Sequence, residues 1–275
     1  MEYREHQPVA RLAPLLECLW TLEGHARELA GETQPVLPDG RTELVVHFGE
    51  PFERIEEGIA ALQPAVIFAG QLTRRLVLRP TGRVSVLGVR FRPYGAAPFV
   101  REPQGRLVGL TLDASEVSSP LSRVAAHVHD SARSLDTAVA SMQQQLVDAL
   151  PNVAIDSRVA SAVAAIDRFD GLVGIDELSV SVETTRRHLE RLFQQQVGVS
   201  PKRLARITRF QRALAVLQGA GTATGVLAAH ASGYADQAHF IRDFHELAGC
   251  SPGAHLLEAA ELTGFFSGTS ARLPR

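Results

Sequence analysis

Between Arg186 and Arg212 the chain sets eight basic side chains against one carboxylate. They are Arg186, Arg187, Arg191, Lys202, Arg203, Arg206, Arg209 and Arg212, and the acid is Glu190. A guanidinium can donate two parallel hydrogen bonds to O6 and N7 of guanine, and clustered arginines supply the local positive field that phosphate binding needs. Further along, Gln237, His239 and Arg242 carry related chemistry, because a glutamine amide matches the edge of adenine. Glu190 can accept from the amino group of cytosine. The composition as a whole hides this cluster: 28 Lys and Arg against 30 Asp and Glu leave a formal charge of −2. Attraction to a polyanion therefore depends on where the charges stand.

Those side chains need rigid elements to hold them, and residues 157–260 read as helices throughout. Ser200-Pro201 and Ser251-Pro252 each put an oxygen acceptor before a proline whose missing N–H costs nothing in a first helical turn. Gly198 and Gly249 stand just before, suited to the left-handed residue that ends a preceding helix. Two stretches share one plan. A short helix over Asp176 to Val182 leads through a turn into Thr185 to Gln195, where Leu189, Leu192 and Phe193 share a face. Val226 to Ser232 leads through Gly233 into Asp236 to Leu247, where Phe240, Phe244 and Leu247 do the same. Each is the pattern of a helix-turn-helix unit, with Gly233 reversing the chain and Asp236 capping the helix that follows. The second helices keep polar faces, Arg186, Arg187, Glu190 and Arg191 in one and Gln237, His239 and Arg242 in the other. Between the units, Ser200 to Leu217 reads as one long helix with Ile207, Phe210, Leu214 and Leu217 turned inward. Its Arg203, Arg206 and Arg209 either face phosphate or pair with acids of the same domain.

The first half has another texture. Leu15 to Leu22, Thr42 to Phe48, Leu76 to Arg79 and Val84 to Phe91 are short Val-, Leu- and Phe-rich segments, parted by turns such as Pro38-Asp39-Gly40 and Pro80-Thr81-Gly82. They predict a small β-sandwich or barrel whose strands are covered on both faces in places. From about Ser118 the composition turns helical, and Leu135, Val139, Met142, Leu146 and Leu150 recur at steps of three and four before Pro151. Residues 151–156 are the linker.

Leu189-Glu190-Arg191-Leu192-Phe193, Gly198-Val199-Ser200-Pro201-Lys202, Arg209-Phe210, and Gly233-Tyr234-Ala235-Asp236-Gln237-Ala238-His239-Phe240 with Arg242, Phe244 and Gly249-Cys250-Ser251-Pro252 closely resemble the AraC/XylS-type DNA-binding domain over roughly a hundred residues. The resemblance implies two helix-turn-helix subdomains joined by a long helix. It places base-reading positions on Arg187, Glu190 and Arg191 in the first unit and on Gln237, Ala238 and Arg242 in the second, with His239 beside a phosphate. Two departures stand out. Glu183 occupies the first turn where the family has glycine, which predicts a distorted or differently wound turn. Ala238 offers only a methyl group, so the second helix reads fewer bases. Pro38-Asp39-Gly40-Arg41-Thr42-Glu43, Gly70 and Gly88-Val89-Arg90-Phe91-Arg92-Pro93 resemble the cupin-like β domain attached to such regulators, where it serves effector sensing, dimerisation or both.

Other chemistry is poorly supplied. Glu43 and His47 share a strand face by the two-residue period, yet two ligands do not hold a metal. His127 and His129 point to different faces of a helix. Asp39 belongs to a tight turn, Trp20 reads as core, and Cys18 and Cys250 read as buried thiols in different domains. No cofactor is expected and no enzyme. No apolar run reaches the roughly 18 to 20 residues of a membrane span, and Met1 to Ala10 lacks a signal-peptide pattern, so a cytoplasmic location is expected. The expectation is an α+β multidomain chain: residues 1–150 a β-rich sensor or assembly domain with trailing helices, 152–260 an all-α double helix-turn-helix reader, 261–275 a tail. Its expected partners are double-stranded DNA, a small-molecule effector and a second copy of the chain, with no membrane; a cupin-type sensor or enzyme with secondary DNA binding is the alternative.

Overall fold

The computed structural model describes residues 1–26, 33–150, 154–219, 232–234 and 236–261. Among the described residues ten strands lie in two antiparallel sheets, and the larger runs β1 (Glu2–His6), β2 (Leu16–His25), β9 (Arg83–Phe91), β4 (Thr42–His47), β7 (Val66–Ala69) and β10 (Thr111–Asp113). The smaller sheet runs β3 (Gln34–Val36), β8 (Leu76–Arg79), β5 (Glu53–Glu56) and β6 (Ile59–Leu62). The four strand segments expected from the sequence are β2, β4, β8 and β9. The other six are short or carry polar residues, which leaves their periodicity too weak to read.

The larger sheet is buried on both sides, which is why its central strands are apolar at nearly every position. On β9, Leu87, Val89 and Phe91 point one way and join Leu44, Val46 and Phe68 against α2 (Ser119–Ser131) and α3 (Leu135–Asp148), whose Leu121, Val128, Met142 and Leu146 complete that core. Val84 and Val86 point the other way and meet Trp20, Val45, Phe52, Ile67, Leu76 and Leu78 between the sheets. Each helix starts on a side-chain cap: Ser118 for α2, and Ser134 with Thr137 in a capping box for α3. The one-turn helix α1 (Ala114–Val117) joins β10 to α2.

The helical half carries two cores strung on one helix. The first gathers Val159, Val163 and Ile166 of α4 (Ser157–Arg168), Leu178 of α5 (Ile175–Ser181) and Leu189 and Phe193 of α6 (Arg186–Gln196) around Leu204. The second gathers Phe240, Phe244 and Leu247 of α8 (Gln237–Ala248) around Ile207, Phe210, Leu214 and Leu217. Leu204 and Ile207 through Leu217 all lie on α7 (Pro201–Gly219), the expected long connector. The last helix, α9 (Pro252–Glu261), starts at the second Ser-Pro pair. The helix expected over Val226 to Ser232 and the tail expected at 261–275 fall mainly outside the described residues, and residue 261 still belongs to α9.

The halves also touch. Gln71 donates to the Val197 carbonyl at 2.8 Å and to Pro93 at 3.2 Å, Arg203 donates to the Thr73 carbonyl at 2.8 Å, and Gln211 donates to the Pro38 carbonyl at 2.6 Å.

Within the larger sheet Trp20 pairs with Gly88 in register, and its indole lies over that glycine so closely that a Cβ there would sit 2.0 Å from the ring. Gly88→Ala should therefore lower stability by about 3 kcal/mol, the upper range for overpacking, read as an earlier urea midpoint followed by Trp20 fluorescence. An unchanged midpoint would show that the ring does not need the gap.

Candidate nucleic-acid interface

The first helix-turn-helix unit is α5, a tight turn and α6. Glu183 takes φ +54°, the left-handed conformation that a glycine would adopt freely. The turn closes with Glu183 N–H donating to the Val180 carbonyl at 3.0 Å and Thr184 N–H donating to the Ser179 carbonyl at 3.0 Å. The expected distortion does not occur: the glutamate bears a backbone cost of roughly 1–2 kcal/mol and keeps the turn. Thr185 then caps α6 by accepting from the His188 N–H.

Leu189, Leu192 and Phe193 anchor α6 in the core, which turns its other face outward. Arg186, Arg187 and Arg191 are exposed there and Glu190 is half-buried. Arg186 leans on Glu190 at 3.1 Å and lies 3.5 Å from Asp176, while Arg191 meets His188 Nδ1 at 3.0 Å. These contacts are solvent-accessible, and such pairs contribute at most about 1 kcal/mol, so the side chains can exchange them for a stronger partner.

In the second unit Gly233 has φ +67° and Asp236 caps α8, accepting from His239 N–H at 2.7 Å. Gln237, Ala238 and Arg242 are exposed along α8, and its C-terminus closes on Gly249 at φ +71°. His239 is drawn inward: its ring stands edge-on to Tyr234, with centroids 5.3 Å apart, and 3.7 Å from Asp243. Ala235 and the first helix of this unit lie outside the described residues.

The connector arginines contact acids and an aromatic ring of the protein, the second of the two arrangements expected. Arg206 lies 2.9 Å from the buried Asp243 carboxylate and also grips Glu246 through both terminal nitrogens. Arg203 donates to Glu246 at 2.7 Å and to the Thr73 carbonyl. Arg209 lies over the Tyr234 ring at 5.4 Å. The physical reason is proximity: two acids one turn apart on α8 meet two arginines one turn apart on α7 before any phosphate can. The Arg206 hydrogen bond and the nearby guanidiniums hold the Glu246 carboxyl below the usual carboxylate range. Asp243 and Glu246 are the residues the sequence reading missed, although their matched three-residue spacing with Arg203 and Arg206 was there to find.

Elsewhere, Glu43 accepts from Arg90 at 2.8 Å and from Trp20 at 3.1 Å, and His47 is buried between the sheets. His129 stacks on Phe48 and His127 is exposed, so the two do not converge. Cys18 is buried and Cys250 half-buried, and neither is in a disulfide.

Residues 4–113 match the family described as Domain of unknown function (DUF6597), and residues 178–258 match the family described as Helix-turn-helix domain. Comparison with curated proteins gives no match. Among solved structures, a probable AraC family transcriptional regulator from Rhodopseudomonas palustris is 27% identical, covering 38% of this chain and 98% of that one, with a TM-score of 0.34. ToxT from Vibrio cholerae is 10% identical over 94% of this chain and 98% of its own, with a TM-score of 0.48. The AraC-like transcriptional activator CuxR is 15% identical, covering 84% of this chain and 98% of its own, with a TM-score of 0.28. No helix among the described residues is long and apolar enough to cross a membrane.

Removing Arg206 strands a carboxylate whose side chain is only 7% exposed. Arg206→Ala should cost about 3 kcal/mol or more, seen as a lower thermal midpoint, and Arg206→Lys should recover only part of it because an ammonium cannot span both acids. A variant with alanine as stable as the parent would show that the cluster does not hold the units together.

Proposed function

We propose that the helical half of this chain, whose residues 178–258 match a helix-turn-helix domain, is of the AraC type, and that the protein is a transcriptional regulator that reads duplex DNA with α6 and α8. One observation carries the reading. Arg187, Arg191, Gln237 and Arg242 are exposed on the second helices of both units, while the connector arginines are committed to partners within the protein. A protein that needed its arginines only for stability would tie down the first group as it ties down the second.

The division of labour follows from the chemistry. Arg187 and Arg191 suit guanine, Glu190 suits cytosine and Gln237 suits adenine, each good contact giving roughly 1–3 kcal/mol of discrimination. Ala238 adds a methyl contact, and Arg186 and Arg242 sit where they can meet backbone phosphate. His239, held against Tyr234, contributes through its N-terminal position on α8 rather than through reach. Arg203 and Arg206 set the separation of the reading helices and do not themselves read. In this reading residues 1–150 are the sensing or assembly domain, with a small-molecule effector as the regulating input and a second copy of the chain as a further partner; the chain regulates and does not catalyse.

Arg191→Ala tests the reading role. Binding to a selected site should fall by about tenfold or more, the value of one base contact, while binding to unrelated DNA changes little. Equal loss on every sequence, followed by mobility shift at matched salt, would reduce Arg191 to a phosphate contact and remove the basis for specificity in the first unit.

A further inference from the structure

A cavity of about 360 Å³ lies between the two sheets and opens against the helical half. That volume falls within the range of small-molecule sites, about 300–1,000 Å³. Its inner chamber is walled by apolar side chains from both sheets, among them Val36, Val45, Phe52, Ile67 and Leu76. Its far wall belongs to the DNA reader: Thr208, Gln211 and Leu214 of α7 and His255 of α9. An occupant would therefore touch the sensing domain and the connector helix together.

Several polar atoms inside lack a partner. Among the described residues Gln34 Nε2 and Thr111 Oγ1 have no hydrogen-bond partner, the His47 ring has at most a contact with Gln63 beside it, and Gln34 and His47 are only 3% and 2% exposed. Burial pushes the His47 imidazole down to about 4, so it stands neutral, offering one N–H and one acceptor. Buried polar groups in folded proteins nearly always find partners. These line an enclosed space instead.

The charges lining the cavity point to one ligand class. Glu17, Asp39, Glu43 and Asp167 supply four carboxylates, against two guanidiniums, Arg41 and Arg90. Both guanidiniums are committed, Arg41 to Glu17 and Arg90 to Glu43 at 2.8 Å. A ligand carboxylate or phosphate would find no free counter-ion among these residues. A ligand cation finds carboxylates in excess, and both hydrogen bonds to Glu43 fall on Oε1, leaving Oε2 for a donor. Beside Glu43 the Trp20 and Tyr3 rings, with centroids 6.0 Å apart, offer the faces that ammonium groups favour.

We propose that this cavity binds an organic cation with an apolar body, its ammonium held by Glu43 and the neighbouring acids and its body filling the chamber between the sheets. The proposal deepens the effector part of the regulator reading and rests on it for its biological meaning, since binding here bears directly on α7. Binding itself is measured without DNA, which keeps the two readings separable.

Trp20 is the only tryptophan in the chain, so its fluorescence reports occupancy. The full-length protein is titrated with three probes of like shape, phenylpropylamine, phenylpropanol and phenylpropionate. A saturable change with the amine is expected, weaker with the alcohol and absent with the carboxylate. Val45→Phe should fill the chamber and abolish the response. Glu43→Gln, which leaves the chamber open, should weaken the amine by about tenfold or more through loss of one charge-assisted contact and leave the alcohol unchanged. Carboxylate binding as tight as the amine, no saturable response to the amine, or an amine affinity untouched by Glu43→Gln would each overturn the proposal. An amine that binds as expected to a protein that ignores DNA would leave the site standing and remove the regulator reading instead.

Discussion

An arginine in the first third of α7 is the joint on which the relative placement of α6 and α8 depends. Arg206 reaches across to α8, where Asp243 is buried and Glu246 half-exposed, and it pairs with both. A carboxylate as enclosed as Asp243 is tolerated only with a cation and hydrogen bonds beside it. The bond therefore sets the position of α8 relative to the connector, much as Leu204 and its neighbours set the position of α6. With both helices fixed to one rigid rod, the side chains on their outer faces become a single spaced array instead of two independent ones.

The first half is built around a sheet covered on both sides. Helices take one face, and the small sheet takes the other only in part, because Trp20 folded over Gly88 and the Glu43–Arg90 pair occupy space where apolar packing would otherwise continue. What remains is a chamber whose last wall is the connector helix. The loop that carries Gln71 and Thr73 lies between this chamber and the helical half, and it donates to Val197 and accepts from Arg203. Arg203 thus ties together the first half, the connector and α8.

Much of this was legible in the amino-acid sequence, for reasons that differ by element. The helix starts at Pro201 and Pro252 and the cap at Asp236 are written in local chemistry, so their positions were read nearly to the residue. The long strands β2, β4, β8 and β9 announce themselves by apolar content. The exposed arginines of α6 could be found because only one face of that helix is apolar. What escaped was everything that depends on two distant segments meeting. The pairing of Arg203 and Arg206 with Asp243 and Glu246 spans some forty residues, and only the shared spacing of three hinted at it. The cavity joins strands from the first half to helices from the second, and no local pattern records that. At the Glu183 turn the residue type argued for distortion, and the chain instead holds a non-glycine residue in the left-handed conformation.

The most direct measurement is selection of bound sites from random duplex DNA by the full-length protein, followed by sequencing. Two short enriched blocks on one face, their centres about one helical turn or roughly 10 base pairs apart, are predicted from two reading helices fixed to one connector. No enrichment at low ionic strength, or a single block unaffected by substitution of Gln237 and Arg242, would contradict it.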